Sequence, residues 1–356
     1  MLSLRTPRLM ALFGRKKLTV GLDVGSGLVK AVVINHSGPT PEVVKVVITP
    51  LNDTAIVEDE VMDHDLVADA IRQTLAATGA KTTHVVTAVG GRDVIVKKIQ
   101  MERVKEQQAR ELMCWEAEQH VPFDMDSVEI DFQLLDPDGD GLDMGVLLVA
   151  AKRDLVEATQ ALLTEAGIAP AIIDVDAFAL HNAFEANYPD AQHGTIALLN
   201  IGNEATNLNI IDDGVPILTR DLAVGTRRLR EEVQRNHGLS ADDAEDLLRG
   251  FDRHPMIDGV VASRGEEIAI GMERAATFLA SSQHHAGAIR AVYACGGGAR
   301  VPGLLPWLSG RLRIPVQPAN ALARIAVRDG ALEFLAIDDV APLLMLPVGL
   351  ALRAAA

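Results

Sequence analysis

A chain of 356 residues, 48% hydrophobic and 23% charged, is long enough for two or three domains and needs no metal or disulfide staple to hold a core. Its formal net charge of −16 repels a nucleic-acid backbone over most of the surface, which argues against nucleic acid as a partner. The two cysteines, Cys114 and Cys295, lie in no CxxC pair or Cys/His cluster and read as reduced, mostly buried thiols of a reducing compartment.

Residues 1–17 form a basic arm, with Arg5, Arg8, Arg15, Lys16 and Lys17 ahead of the first acid, Asp23. The apolar stretch at 9–13 is too short for a signal sequence, and no run approaches the roughly 20 apolar residues of a membrane span, so a soluble chain is expected. The arm reads first as a frayed terminus and second as a weak contact to an anionic membrane.

Residues 18–34 predict a strand, a tight glycine turn and a second strand, from their alternation and β-branched content. A third strand follows at 42–49. A helix is expected at 65–78, with Leu66, Ala70, Ile71 and Leu75 on one face and Gly79 as its stop. A short buried strand comes at 85–89. The next stretch predicts a strand at 94–101, a Glu- and Gln-rich helix at 104–120, strands at 128–135 and 144–151, and a helix at 154–166. That order suits a small α+β module on one sheet face. Its DPDGDGLD turn superficially resembles a calcium loop, but position twelve is Leu147 rather than a glutamate and strands flank it, so it reads as a hairpin turn.

Residues 172–188 predict a strand end running into a helix. The span 195–211 repeats the strand, glycine turn, strand layout of the opening, with a third strand at 215–222. The two openings stand about 177 residues apart, Asp23 against Asn200, which predicts a duplicated domain. Residues 225–283 look mainly helical. A strand at 291–294, three glycines, a helix at 304–311 and an apolar end at 340–352 complete the chain.

Three motifs carry chemistry. In Asp23-Val24-Gly25-Ser26-Gly27-Leu28-Val29-Lys30, the glycines let backbone N–H groups form an anion nest, Ser26 adds a hydroxyl, Lys30 adds charge, and Asp23 suits a magnesium ion held through water. Asn200-Ile201-Gly202-Asn203-Glu204-Ala205-Thr206-Asn207 has the same form and would face the phosphates from the other side. Either alone reads as an ordinary hairpin. In the third, Ala294-Cys295-Gly296-Gly297-Gly298-Ala299-Arg300, a strand ends in glycines that let backbone pass a flat ligand, and the helix near Gly303 would offer its N-terminus. No acid follows at the spacing of a dinucleotide-binding fingerprint.

In this order and spacing the three resemble the phosphate-one, phosphate-two and adenosine motifs of the actin-like ATPase superfamily, shared by sugar kinases, heat-shock chaperones and FtsA. Within it the chain is similar to the PilM family of type IV pilus assembly proteins. The similarity also runs through the basic lead-in Phe13-Gly14-Arg15-Lys16-Lys17, through Asp174-Val175-Asp176-Ala177-Phe178-Ala179-Leu180 with Asn182, through Gly225-Thr226, and through the ending Pro347-Val348-Gly349-Leu350-Ala351-Leu352-Arg353.

The resemblance implies an α/β protein with a duplicated actin-like (ribonuclease H-like) two-domain fold and an FtsA-type α+β inserted subdomain. The expected division is a basic arm at 1–17, a first domain at 18–91 and 169–190, the insertion at 92–168, a second domain at 191–224 and 289–339, a helical nucleotide-side subdomain at 225–288, and a C-terminal segment, 340–356, packing on the first domain.

Carried over by position, Asp23, Gly25, Ser26, Gly27 and Lys30 would serve ATP phosphates and Mg2+, with Asp23 the metal ligand. Gly202, Asn203 and Thr206 would serve them from the second domain. Gly225, Arg228 and Glu231 would approach the ribose, and Gly296, Gly297, Gly298 and Arg300 would flank the adenine.

Strong ATPases of the superfamily place an aspartate where this chain has Asn200, and an amide orients a water but takes no proton. Asp23 and Asn200 are thus the candidate catalytic pair, and binding is better supported than turnover.

The implied role is a cytoplasmic scaffold at the inner face of the inner membrane. Its partners would be the cytoplasmic tail of a PilN-like membrane protein and pilus assembly motor ATPases, with self-association also open. Alternatives are a GspL-like secretion platform protein, an FtsA-like tethered filament and a sugar kinase. Trp115 and Trp307 read as core or interface residues, and His284-His285 as a solvated pair.

Overall fold

The computed structural model describes residues 18–58, 60–80, 84–250, 254–281, 287–333 and 335–353. The basic arm, His284, His285 and residues 354–356 lie outside the described residues.

The chain opens with β1 (Leu18–Val24), β2 (Leu28–Asn35) and β3 (Glu42–Pro50), then the two-residue strands β4 (Ile56–Val57) and β5 (Glu60–Val61), helix α1 (His64–Thr78) and β6 (Val85–Val89). The Asp63 carboxylate caps α1 by accepting from Leu66 N, and Gly79 ends it in the left-handed region at φ 63°. Val67 rather than Leu66 faces the core, since Leu66 sits exposed in the capped first turn.

The inserted stretch carries β7 (Val94–Glu102), α2 (Glu106–Glu118), β8 (Val128–Leu134), β9 (Asp143–Lys152) and α3 (Arg153–Glu165). Then follow β10 (Ile172–Val175), α4 (Asp176–Asn187), β11 (Thr195–Ile201), β12 (Thr206–Asp212), β13 (Val215–Leu222), α5 (Thr226–His237), α6 (Ala241–Arg249) and α7 (Pro255–Ser281). The chain closes with β14 (Val292–Cys295), α8 (Leu304–Leu312), β15 (Val316–Pro318), β16 (Ala326–Val327), α9 (Ile337–Val340) and α10 (Met345–Leu352).

The duplication is visible in the strand order. One sheet runs β10-β6-β1-β2-β3-β16; the other runs β15-β14-β11-β12-β13 and continues into β7-β9-β8. In each, the opening strand pairs antiparallel with the next and parallel with a later one. The registers match as well: Asp23 lies opposite Lys30 as Asn200 lies opposite Asn207.

Both faces of these sheets are covered, which is why the strands read as near-continuous apolar runs. Along β2, Val29, Ala31 and Val33 pack under α1 and α3, while Val32 and Ile34 face a central layer containing α4 and α10. Along β11, Ile196 and Leu198 meet that same central layer, and Ala197, Leu199 and Ile201 pack under α5 to α8. The period-2 side-chain alternation thus sends each strand into two cores.

The inserted strands join the second sheet at its edge through a single pairing, Leu218 with Lys97. Helix α2 covers one face with Ala109, Met113 and Ala117. Helix α3 instead puts Leu162 and Leu163 into the core of the first sheet. The DPDGDG segment is the β8–β9 turn, where Arg103 donates to the Asp136 carboxylate at 2.8 Å and to the carbonyls of Gly141 and Asp143 at 2.7 Å.

One expectation is corrected and another narrowed. Cys114 is exposed rather than buried, because it lies on the outer face of α2; Cys295 is buried. Of the two readings of Trp115, core or interface, the core one is set aside: it is 75% exposed on that same face, one turn from the 45% exposed Leu112.

Candidate functional site

The first turn is closed by Gly25 N–H donating to Leu28 O at 3.1 Å, and the second by Gly202 N–H donating to Ala205 O at 2.9 Å. The turns face each other. A Cβ added at Gly27 would come within 3.3 Å of the Asn203 side chain, so glycine lets the halves approach. Between them opens a cleft of about 450 Å3. It is lined by Asp23, Gly25, Ser26, Gly27 and Lys30 from the first motif, by Asn200, Gly202 and Asn203 from the second, and by Gly296, Gly297 and Arg300 from the third.

Asp23 and Lys30 are cross-strand partners, and their carboxylate and ammonium groups pair at 2.5 Å with little exposure. Asn200 Nδ2 donates to Asn207 Oδ1 at 3.1 Å, and Asn207 Nδ2 donates to Asp221 Oδ1 at 2.5 Å. Cys295 Sγ reaches Asn200 Oδ1 at 3.7 Å, and full burial pushes the thiol up to about 12. Among the described residues the buried Asn203 Nδ2 has no hydrogen-bond partner, an orphaned donor in the wall of the cleft. Half-burial of Arg300 lowers its pKa by desolvation.

Five of the expected contacts lie outside the lining of the cleft. The Thr206 hydroxyl is fully buried and donates to Val224 O at 2.6 Å, so it fixes β12 rather than lining the cleft. Gly225 supports the second turn from behind: a Cβ there would meet Asn203 O at 2.2 Å. The next two N–H groups, of Thr226 and Arg227, donate to Gly202 O at 3.0 Å and Asn203 O at 2.9 Å, so the start of α5 is spent on bracing that turn. Gly298 packs on Ile201. Arg228 and Glu231 are exposed away from the cleft, and Glu231 pairs with Arg227 at 2.9 Å. The start of α8 also stays out of the cleft, since Leu304 and Leu305 lie in the core.

Sequence reasoning gave no site role to Asp53, Asp176, Glu204, Arg230, Glu245 or Arg249, all of which line the cleft. For Arg230 a signal existed. Leu229 and Val233 are the buried pair of α5, and at 100° per residue Arg230, not Arg228, falls beside them on the cleft side. Glu204 pairs with Arg227 at 2.8 Å and stiffens the second turn.

A second, smaller cavity of about 150 Å3 lies where β7, the start of α4 and β13 converge. Gly90, Gly91, Asp176 and Asn207 line both cavities. In its wall Asn209 donates to Ala177 O at 3.0 Å, and its buried Oδ1 has no partner among the described residues. Among the described residues no cluster of three or more His, Cys, Asp or Glu forms a metal site, and no helix is long and apolar enough to cross a membrane.

A family model described as type IV pilus assembly protein PilM matches residues 21–355. A solved structure, a PilM-PilN type IV pilus biogenesis complex, superposes with a TM-score of 0.82 at 26% identity over 96% of this chain and 99% of the matched one. The ethanolamine utilization protein EutJ from Carboxydothermus hydrogenoformans matches at TM-score 0.56 and 17% identity, covering 95% of this chain and 90% of that one. MreB 5 of Spiroplasma citri, bound to AMPPNP, matches at 0.53 and 13%, covering 94% and 95%. The last two speak for the fold alone. The fold is the duplicated actin-like one, with an α+β insertion.

Proposed function

We propose, since this chain belongs to the PilM family of type IV pilus assembly proteins, that it is an ATP-binding scaffold whose two halves close around nucleotide. One observation carries this reading: two turns of matching register, one presenting Asp23 and Lys30 and the other Asn200 and Asn203, face each other over one cleft.

The residues present fit ATP with Mg2+. The orphaned Asn203 Nδ2 is a donor suited to a phosphate oxygen, and Gly297 leaves open space where a flat ring would pass. Asp23 is one carboxylate, which matches a magnesium ion that takes one or two protein oxygens and completes its shell with phosphate and water. The metal would neutralise phosphate charge. In its absence Lys30 balances Asp23, so both groups are held in place before nucleotide arrives.

The partner reading is that the cytoplasmic tail of a PilN-like protein docks between the insertion, at 92–168, and the first domain. The smaller cavity between β7 and α4 supports it. Membrane association would then come through partners at the inner face of the inner membrane, with motor ATPases and self-association as further contacts.

Millimolar ATP–Mg should raise the melting temperature of nucleotide-free protein and slow protease cutting between the halves. A ligand at 100 times its Kd stabilises by about 2.7 kcal/mol. Asp23→Ala should remove the magnesium-dependent part of the shift. No shift in the unmodified protein would overturn the reading.

A further inference from the structure

Arg230 reaches across the mouth of the cleft. Its side chain is only 11% exposed, and its two terminal nitrogens go opposite ways. Nη1 donates to Glu245 of α6 at 3.1 Å, and Nη2 donates to Asp53, in the loop after β3. Glu245 in turn accepts from Arg249 at 2.6 Å. Asp53, Arg230, Glu245 and Arg249 thus form a chain of alternating charge that starts on the first domain and ends on the helical segment opposite.

The Asp53 end is stiff. The Asn52 side chain accepts from Thr54 N at 3.0 Å and from Thr54 Oγ1 at 2.9 Å, and Ala55 N donates to Asn52 O at 2.9 Å. Leu51 N donates to Gly27 O at 3.0 Å, tying the loop directly to the first glycine turn. The Arg230 end is equally anchored, because α5 begins on the carbonyls of the second turn. Pulling the two glycine turns apart therefore strains the Arg230–Asp53 ion pair. A guanidinium that bridges two carboxylates, one nitrogen to each, makes a charge-assisted hydrogen bond at both ends.

We propose that this chain is a strap that holds the cleft shut, and that Arg230 must release Asp53 before nucleotide enters or leaves. The inference rests on the reading that the cleft takes ATP–Mg. It concerns the rate of exchange rather than the fit of the ligand. Ligand groups would meet the glycine turns; Arg230 would set how often the halves part.

The test has two readouts, one free of nucleotide. Spin labels at Gln73→Cys on α1 and Asp246→Cys on α6, in a Cys114→Ser background, report the distance between the halves in the ligand-free full chain. Arg230→Gln and Asp53→Asn should each lengthen and broaden that distance by the same amount, and the double variant should add nothing, as expected of two ends of one contact. Raised salt should shift the unmodified protein in the same direction.

In stopped-flow with a fluorescent ATP–Mg analogue, both variants should raise the association and dissociation rates together. The expected rise is about two- to fivefold, the range a partly exposed ion pair supports. Unchanged distances in both variants would overturn the strap. So would a fall in association rate for Arg230→Gln with Asp53→Asn silent, since Arg230 would then be a ligand contact. If the analogue bound no variant and not the unmodified protein, the nucleotide reading would fail, and the label distances would still decide the strap.

Discussion

Asn200 is held from both sides of its amide. Its Nδ2 faces an acceptor, Asn207 Oδ1, and its Oδ1 faces the Cys295 thiol. A carboxylate at this position has no donor for Asn207. Either two acceptors oppose each other, or the Asn207 amide turns over and gives up Asp221. Asn200→Asp should therefore cost about 0.5–1.5 kcal/mol in a denaturant melt, the net worth of one hydrogen bond between half-buried groups. Adding Asp221→Asn, which allows the chain of donors to run the other way, should recover most of it. Wild-type stability in the single variant would show that the amide directions are not fixed by this network. The adjacent thiol gives a second expectation. With Cys295 pushed up to about 12, iodoacetamide at pH 8 should label the exposed Cys114 and leave Cys295 untouched until the chain unfolds. The sign follows from the raised pKa. Any stability from keeping this thiol protonated is full below the ordinary value of 9.0 and is lost as pH rises toward about 12. Two labels per native chain at pH 8 would contradict the burial.

Among the elements, α10 shows how closely packing depends on missing side chains. It is buried along nearly its whole length between β1 and α4. A Cβ at Gly349 would lie 1.7 Å from Ala179 O, and one at Gly21 would lie 2.0 Å from Pro347 O. Its C-terminal end is anchored by Arg353 against the buried Asp174, at 3.3 Å. Gly349→Ala should destabilise by about 1–3 kcal/mol or more, as overpacking does. Gly297→Ala, where nothing stands within 4 Å, should leave stability within about 0.5 kcal/mol and weaken only nucleotide binding. Equal melts for the two variants would sink that contrast. The two glycine turns and their flanking strands were legible in the sequence because each is local: period-2 alternation, then glycine, then alternation again. The parallel pairs β1–β6 and β11–β14 were not, since their register is set by crossovers through whole helices. The ribose contacts placed on α5 missed for a different reason. Counting forward from Gly225 reaches the right helix, but the side chain that faces the cleft follows from the apolar pair Leu229 and Val233, whose spacing was legible and went unused.

At the scale of the whole molecule, the insertion enters and leaves the first domain at one point. Val94 pairs with Ala151, and Lys152 N donates to Asp93 O at 3.0 Å. A short Gly-Ser turn from Asp93 to Lys152 can therefore replace 94–151. Cutting the full span 92–168 would instead take Leu162 and Leu163 from the first core. The module shares no phosphate turn, so its loss should leave ATP–Mg affinity within about threefold, under about 0.7 kcal/mol. The proposed docking of a PilN-like cytoplasmic peptide should be abolished, since β7 supplies one wall of the smaller cavity. Removal uncovers Val89, Ile173 and Phe178, which pack against Val96 and Val149. Should the shortened chain fail to fold, a full-length variant decides the point. Thr219→Trp narrows the 150 Å3 cavity from β13, away from both glycine turns. It should weaken peptide binding at least tenfold, about 1.4 kcal/mol, with ATP–Mg binding and melting temperature unchanged. Titrating one peptide against the three proteins separates the outcomes. Equal affinity throughout would remove this cavity as the docking site and move the partner surface to the exposed face of α2, where Leu112 and Trp115 stand clear of every core.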